Sequence, residues 1–372
     1  MLFIPHKHLY ISGASYVGAD EPDYKEVITD ANSRRRMGRL LKMAVWCGLK
    51  SLDSVPSERV AGIITSTGAG FMKDTISFGS SIFDREETLL NPSPFMQSTF
   101  NTASGYIALI RKIHAYNTTY VQQADGFAAS LVDVAMLLDD AAEGNVALVG
   151  AFDEVTPEVD VIRQRLGLYR VGDGFLPLGE GAAAFLLSPA MPTDVSGSCR
   201  ATEMSAVPGG DAGSEFDSGR DGDEAGSESA SERGGDANSE SSTGPLRESE
   251  LASWPCDESG SESSSDPLHE YGGTSSRSLN GTTDGNAALR FCGLANLSDL
   301  SKSTESPIAE LFGINAGVNV ISCADHVESL GAFRSLLPVL LCKLISEQKI
   351  PDGYTAIVDD VNEDGVIVLL HK

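Results

Sequence analysis

The sequence predicts a layered α/β fold in two halves, with mostly parallel strands and a long polar interruption between the halves. Three observations carry this. Short apolar runs of buried-strand type recur along the chain, segments of helical period separate them, and the same alternation resumes after the interruption.

Taken in order, Leu9-Tyr-Ile-Ser12 reads as a first strand and residues 36–49 as an amphipathic helix. Val60-Ala-Gly-Ile-Ile-Thr65 is a short apolar run of the kind that fills a sheet interior. Residues 98–113 form the next expected helix, entered through Asn91-Pro-Ser-Pro94, whose prolines should block an earlier start. A strand closing at Tyr120-Val121, a helix over 127–138 and buried strands at 146–150 and 182–187 complete the first half.

Residues 191–286 are low-complexity Ser, Gly, Asp and Glu with few aliphatics. Such a stretch buries too little apolar surface to offset its ordering entropy, so disorder is the expectation. Order should resume at Ala287-Ala-Leu-Arg-Phe-Cys292. A helix over 307–312, a strand over 317–322, a strongly apolar helix over 328–347 and a strand pair at 354–358 and 365–370 follow. The chain therefore divides into a first half, 1–190, an acidic insertion, 191–286, and a shorter second half, 287–372.

The formal net charge of −26 over 372 residues argues against a nucleic-acid binder, since phosphate contacts need a basic footprint. No apolar run is long enough to span a bilayer. The six cysteines show no CxxC or CxxH spacing, which favours reduced thiols over a zinc site or a disulfide framework. The histidines give no metal-ligand spacing either, so neither metal nor cofactor is expected, and the cytoplasm is the default compartment.

Three local patterns carry chemistry. The first is Ser93-Pro-Phe-Met-Gln-Ser-Thr-Phe-Asn-Thr-Ala-Ser-Gly-Tyr-Ile-Ala108. The second is Tyr120-Val-Gln-Gln-Ala-Asp-Gly-Phe-Ala-Ala129, running on to Val146-Ala-Leu-Val-Gly-Ala-Phe-Asp-Glu154. The third is Asp173-Gly-Phe-Leu-Pro-Leu-Gly-Glu-Gly-Ala182. In this order they resemble the β-ketoacyl synthases of the thiolase superfamily: the dimer-interface segment, the nucleophile elbow with its following strand, and the DGFxxGEGA stretch with one extra residue. The resemblance implies a duplicated thiolase-like fold, five layers α-β-α-β-α. It is carried by residues 9–189 and is much weaker over 287–372.

Matching Gly126 to the family glycine three residues after the nucleophilic cysteine puts Gln123 at the nucleophile position; a slip of one residue would select Gln122 or Ala124. No cysteine lies between Cys47 and Cys199, so no register restores the thiol. A helix N-terminus stabilises a thiolate there, whereas a glutamine amide forms no acyl thioester. Ser322-Cys-Ala-Asp-His-Val-Glu-Ser-Leu-Gly-Ala332 resembles the family's second histidine motif and makes His326 its candidate, with a structural hydrogen bond at a strand end as the other reading. Ile321 stands where the family has lysine. The first histidine has no counterpart near Gly293, and Asp359-Asp-Val-Asn-Glu-Asp-Gly365 replaces the Gly-Phe-Gly loop.

Gln-for-Cys ketosynthases include chain-length factors, which pair with an active ketosynthase and shape its acyl tunnel. The resemblance therefore implies a partner of this type in fatty acid, polyene or polyketide biosynthesis, with no elongating activity of its own. Acyl carrier protein and an active ketosynthase, or a second copy of this chain, are the expected partners. Phe95, Met96, Phe100 and Asn101 are the expected tunnel or interface residues. The alternatives are a malonyl-carrier-protein decarboxylase supplying acetyl primer and a non-enzymatic homodimeric scaffold.

Overall fold

The computed structural model describes residues 1–122, 125–142, 144–190, 288–301, 306–362 and 365–372. The proposed insertion, residues 191–286, thus lies outside the described residues. The strands are β1 (Leu2–Phe3), β2 (Leu9–Val17), β3 (Val60–Ser66), β4 (Tyr116–Tyr120), β5 (Val146–Asp153), β6 (Arg170–Val171), β7 (Gly174–Phe175), β8 (Gly181–Ser188), β9 (Arg290–Asn296), β10 (Val318–Ser322), β11 (Tyr354–Val358) and β12 (Val366–His371). The helices are α1 (Ala31–Arg36), α2 (Arg39–Ser51), α3 (Met72–Asp84), α4 (Pro92–Gln97), α5 (Thr102–Arg111), α6 (Asp125–Asp140), α7 (Pro157–Leu166), α8 (Pro307–Leu311), α9 (Val327–Leu330) and α10 (Leu336–Ser346).

One mixed sheet runs β10-β11-β12-β9-β2-β8-β5-β3-β4, with β1 added on β9 and β6–β7 forming a separate hairpin. Read outward from the centre, each half repeats one plan. Its first strand is innermost (β2 or β9), its last lies antiparallel beside it (β8 or β12), and the next runs antiparallel again (β5 or β11). Parallel neighbours complete the half: β3 and β4 on one side, β10 alone on the other. Among the described residues the second half has one strand fewer in this plan. The halves meet where β2 and β9 pair antiparallel over Leu9↔Phe291 and Tyr10↔Arg290.

Three apolar clusters divide the molecule into layers. Along β8, Ala182, Ala184 and Leu186 face α2 and α5, while Ala183, Phe185 and Leu187 face α6 and α10. Along β12, Val366, Val368 and Leu370 face that same central helix layer, and Ile367 and Leu369 face the cluster holding Ile308 of α8. The strands of each half make one layer of the continuous sheet, giving helices, first-half strands, α6 with α10, second-half strands and helix, the expected five layers. Strands buried on both faces read as continuous apolar runs, which is why β5 and β8 show no alternation in sequence.

The sheet departs from the expected preponderance of parallel strands. Only β3–β4, β3–β5 and β10–β11 are parallel among the described pairings. Alternation of strands and helices cannot register that β8 and β12 re-enter the sheet reversed. The expected helix 328–347 is divided, while the expected helices 36–49 and 98–113 start later, at Arg39 and Thr102, each with a short separate helix ahead of it. Gly38 separates α1 from α2. The turn at residues 98–101 separates α4 from α5, and Pro92 starts α4 instead of preventing it, because the first helical turn needs no N–H at that position. Gly331 ends α9 and a non-helical turn precedes α10.

Candidate functional site

The candidate site lies where β3, β4 and β5 end and the second half crosses over them. Thr67 N donates to Tyr120 O at 3.0 Å, which ties the exit of β3 to that of β4, and Gly126 N donates to Gln122 O at 3.1 Å as α6 begins. A Cβ at Gly126 would sit 3.5 Å from Ser66 Cβ, an ordinary contact, so the start of α6 lies beside the end of β3. Gln123 and Ala124 lie outside the described residues; Gln122 is exposed just before them.

Asp153, at the end of β5 and 6% exposed, holds the turn after β3. Its Oδ1 accepts from Gly68 N at 2.7 Å, Thr67 Oγ1 at 3.0 Å and Ala69 N at 3.4 Å. Its Oδ2 accepts from Ser335 Oγ at the start of α10, so one buried carboxylate joins both halves. Beside it, a Cβ at Gly68 would meet Arg334 Cγ at 2.7 Å. Arg334 Nη1 reaches Asn362 Oδ1 at 3.5 Å, and Tyr169 OH donates to the same atom at 2.8 Å. Asn362 Nδ2 donates to Asp359 Oδ2 at 2.7 Å. The loop that replaces the expected Gly-Phe-Gly loop is therefore a hydrogen-bonded part of the seam.

His326 ends a short turn (Ala324–His326) after β10. Asp360 holds this turn by accepting from Ala324 N at 2.9 Å and Ser322 Oγ at 2.5 Å. His326 is half-buried, and its backbone N donates to Cys323 O at 3.0 Å. The β11–β12 loop thus carries both the Asp360 tie to the His326 turn and the Asp359–Asn362 part of the seam.

Two further motifs meet by backbone contact. Leu178 bridges Ala332, Ala332 N donates to Pro177 O at 2.7 Å, and Gly179 N donates to Ala332 O at 3.3 Å. A Cβ on Gly179 would collide with Leu330 O, and one on Gly331 with the backbone of Gly179. Gly179 of the DGFxxGEGA-like stretch and Gly331 of the His326 motif sit where two backbones touch.

Phe95, Met96, Phe100 and Asn101 lie on α4 and the turn into α5, and Phe100 reaches the β3 turn that Asp153 holds. Phe95 is 54% exposed and its ring lies tilted at 5.1 Å from that of Phe78 of α3; Phe100 lies against Gly70. Met96 is 62% exposed, and Asn101 is exposed also. Phe95, Met96 and Phe100 leave apolar surface exposed there. Elsewhere a cleft of about 330 Å³ is lined by Lys25, Arg34, Arg35 and Lys42 together with Glu21, Asp23 and Tyr24. Among the described residues no group of three or more His, Cys, Asp or Glu could hold a metal ion, and no helix is long and apolar enough to cross a membrane.

Burial pushes the carboxyls of Asp153 and Asp359 up, against the hydrogen bonds that favour their ionised forms. Burial also raises Asp74 and Glu154. An acid raised in the folded state lends stability below its unfolded pKa of about 4 and loses it as pH rises through the folded value. Melting temperature should therefore rise as pH is lowered toward about 4, and Asp153→Asn should flatten part of that slope. A melting temperature that falls steadily over the same range in both proteins would contradict the assignment.

Sequence comparison matches residues 16–166 to the family model described as "Beta-ketoacyl synthase, N-terminal domain". No curated protein matches the chain at the level of sequence. Two solved structures align over 98% of this chain and 99% of theirs at 12% identity: "The ishigamide ketosynthase/chain length factor", TM-score 0.54, and "AntDE:AntF (apo): type II PKS acyl-carrier protein in complex with its ketosynthase bound to the hexaketide", TM-score 0.57. A ketosynthase–chain length factor complex from Xenorhabdus doucetiae aligns over 49% of this chain and 79% of its own, at 16% identity and a TM-score of 0.37. The two full-length alignments show the fold: a thiolase-like, ketosynthase-like architecture.

Arg334, Tyr169, Asn362 and Asp153 were not anticipated as site residues. Only Asp153 left a signal, as an acid closing the apolar run of β5.

Proposed function

We propose that this chain is a chain-length-factor-like partner of an active ketosynthase in fatty acid, polyene or polyketide biosynthesis, and forms no acyl-enzyme itself. The observation that carries this is the run Val121-Gln-Gln-Ala-Asp125 at the elbow, which offers an amide and no thiol. The buried cysteines do not replace it. Cys47, Cys323 and Cys342 are inaccessible, and burial pushes all three thiols up, away from the thiolate a nucleophile needs.

The second half supports the same view, having four strands to the first half's five among the described residues and Asp359–Asn362 where the family has its Gly-Phe-Gly loop. The exposed surface of Phe95, Met96 and Phe100 suits a protein partner. The basic cleft at Lys25, Arg34, Arg35 and Lys42 suits an acidic one, such as a carrier protein.

The test is co-expression with an intact ketosynthase, tag purification through one chain, and intact-mass analysis after loading with acyl-carrier protein. Co-elution, no covalent adduct on this chain, and products that change in length when Phe95, Met96 and Phe100 become alanine are expected. An adduct on Cys47 or Cys323, or a ketosynthase with the same products alone, would overturn the proposal. Carbon dioxide release from malonyl-carrier protein by this chain alone would favour the decarboxylase.

A further inference from the structure

In the first half, β4 lies parallel beside β3 and falls between β3 and β5 in the chain. The counterpart of β3 in the second half is β10, which is parallel to β11 and has no outer neighbour among the described residues. The stretch where a counterpart of β4 would fall, residues 323–353, is described throughout and holds α9, α10 and turns, with no strand. The sheet therefore stops one strand early, at an edge that the plan of the first half would cover.

The chemistry of this edge is open as well. Cys323 N donates to Val358 O at 2.9 Å, so alternation turns Asn319 and Ile321 toward β11. The N–H and C=O of Val318, Val320 and Ser322 then point outward. The strand reads Val-Asn-Val-Ile-Ser, without the lysine or proline that usually guards an edge, and Val320 is 57% exposed. The two ends of β10 differ in charge. The turn after it carries exposed Asp325 and Glu328, and exposed Asp360 is tied to that turn through Ser322 and Ala324. Residues 323–330 include no Lys or Arg, and the link before the strand, Gly313-Ile-Asn-Ala-Gly317, is uncharged. A second copy does not match this asymmetry. Two-fold antiparallel pairing centred on Val320 would set Ser322 opposite the second copy's Val318, and the acidic end against the uncharged link.

We propose that β10 takes, as a parallel strand in the place β4 has beside β3, an extended segment of another protein whose alternating apolar residues are followed by lysine or arginine. Backbone pairing with Val318, Val320 and Ser322 supplies the affinity. Asp325, Glu328 and Asp360 select the segment and its direction, because in a parallel pair the basic residues come to lie at the acidic end. The surface is at the opposite end of the sheet from β4 and does not depend on the partner reading above.

Fluorescence anisotropy with the full chain at physiological ionic strength is the test. The labelled probes are the peptide Val-Thr-Val-Thr-Val-Lys-Arg-Lys and the same run with its basic residues first, Lys-Arg-Lys-Val-Thr-Val-Thr-Val. The first should bind at least about tenfold more tightly than the second. Val320→Pro removes an outward N–H that β11 does not use, which an edge strand tolerates, and should weaken the first probe at least about tenfold with circular dichroism unchanged. Val320→Lys keeps the backbone intact, guards the edge and should act likewise. Asp325→Lys should weaken the first probe and leave the second unchanged. Absence of binding would overturn the proposal. So would equal binding of both probes that Val320→Pro leaves unaltered, which is what attraction to the acidic stretch 191–286 alone would give. A preference for the second probe would overturn it too, as would wild-type self-association in sedimentation velocity that Val320→Pro abolishes, since a second copy would then hold this edge.

Discussion

Gly331→Ala is expected to lower the melting temperature by about 10 °C or to leave the protein insoluble. Gly331 has φ of 76°, a region where a side chain costs on the order of 1–3 kcal/mol. The new methyl would also meet the Gly179 backbone, which cannot rotate away as a side-chain tip can. Overpacking of this kind adds about 1–3 kcal/mol, and each kcal/mol is worth roughly 2–4 °C in a protein of this size. Gly313→Ala separates the two effects, because Gly313 has φ of 65° and open space around a Cβ. Thermal denaturation of both variants is the measurement. Equal losses would mean that the crossing of the two halves at Gly179 and Gly331 is loose.

Asp153→Ala is expected to cost about 3 kcal/mol or more, because each buried donor left without an acceptor costs about 1–3 kcal/mol. Thr67 Oγ1, Ser335 Oγ, Gly68 N and Ala69 N would all lose an acceptor, and water has little access at 6% exposure. Ser335→Ala removes one donor and should cost nearer 1 kcal/mol. Urea denaturation distinguishes them. If the two variants are equally mild, the carboxylate is not what holds the β3 turn against α10.

Much of the fold was legible because burial leaves a periodic trace. β3, β5, β8 and α6 fell close to their expected places, since each is a strong apolar run bounded by turn residues. Helix breaks were less legible. Asn91-Pro-Ser-Pro94 reads as a barrier, yet Pro92 is at home in a first helical turn, and Gly331 in an apolar stretch gives no hint that a second backbone presses on it. For the site, the resemblance gave Gln123 and His326 as expectations, and Gln123 lies outside the described residues. The seam of Arg334, Tyr169, Asn362 and Asp153 was invisible because its members are 16 to nearly 210 residues apart and only the tertiary crossing unites them. The preponderance of antiparallel pairs was hidden for a similar reason, since direction of re-entry leaves no mark on composition.

The central place of β2 has a consequence for how the chain reaches this state. Leu9 to Val17 lies between β8 and β9, so both neighbours of this early strand belong to segments made much later: Val17 pairs with Ala182, and Leu9 with Phe291. During synthesis β2 cannot be enclosed until about residue 188 has emerged, and its other edge gains a partner only after residue 290. Contacts this distant in sequence slow folding, because loop closure must precede any gain from pairing. Throughout that interval an apolar strand waits with both edges open, which is the period when aggregation competes. Yield on expression should therefore depend on temperature and chaperone supply more steeply than the final stability would suggest.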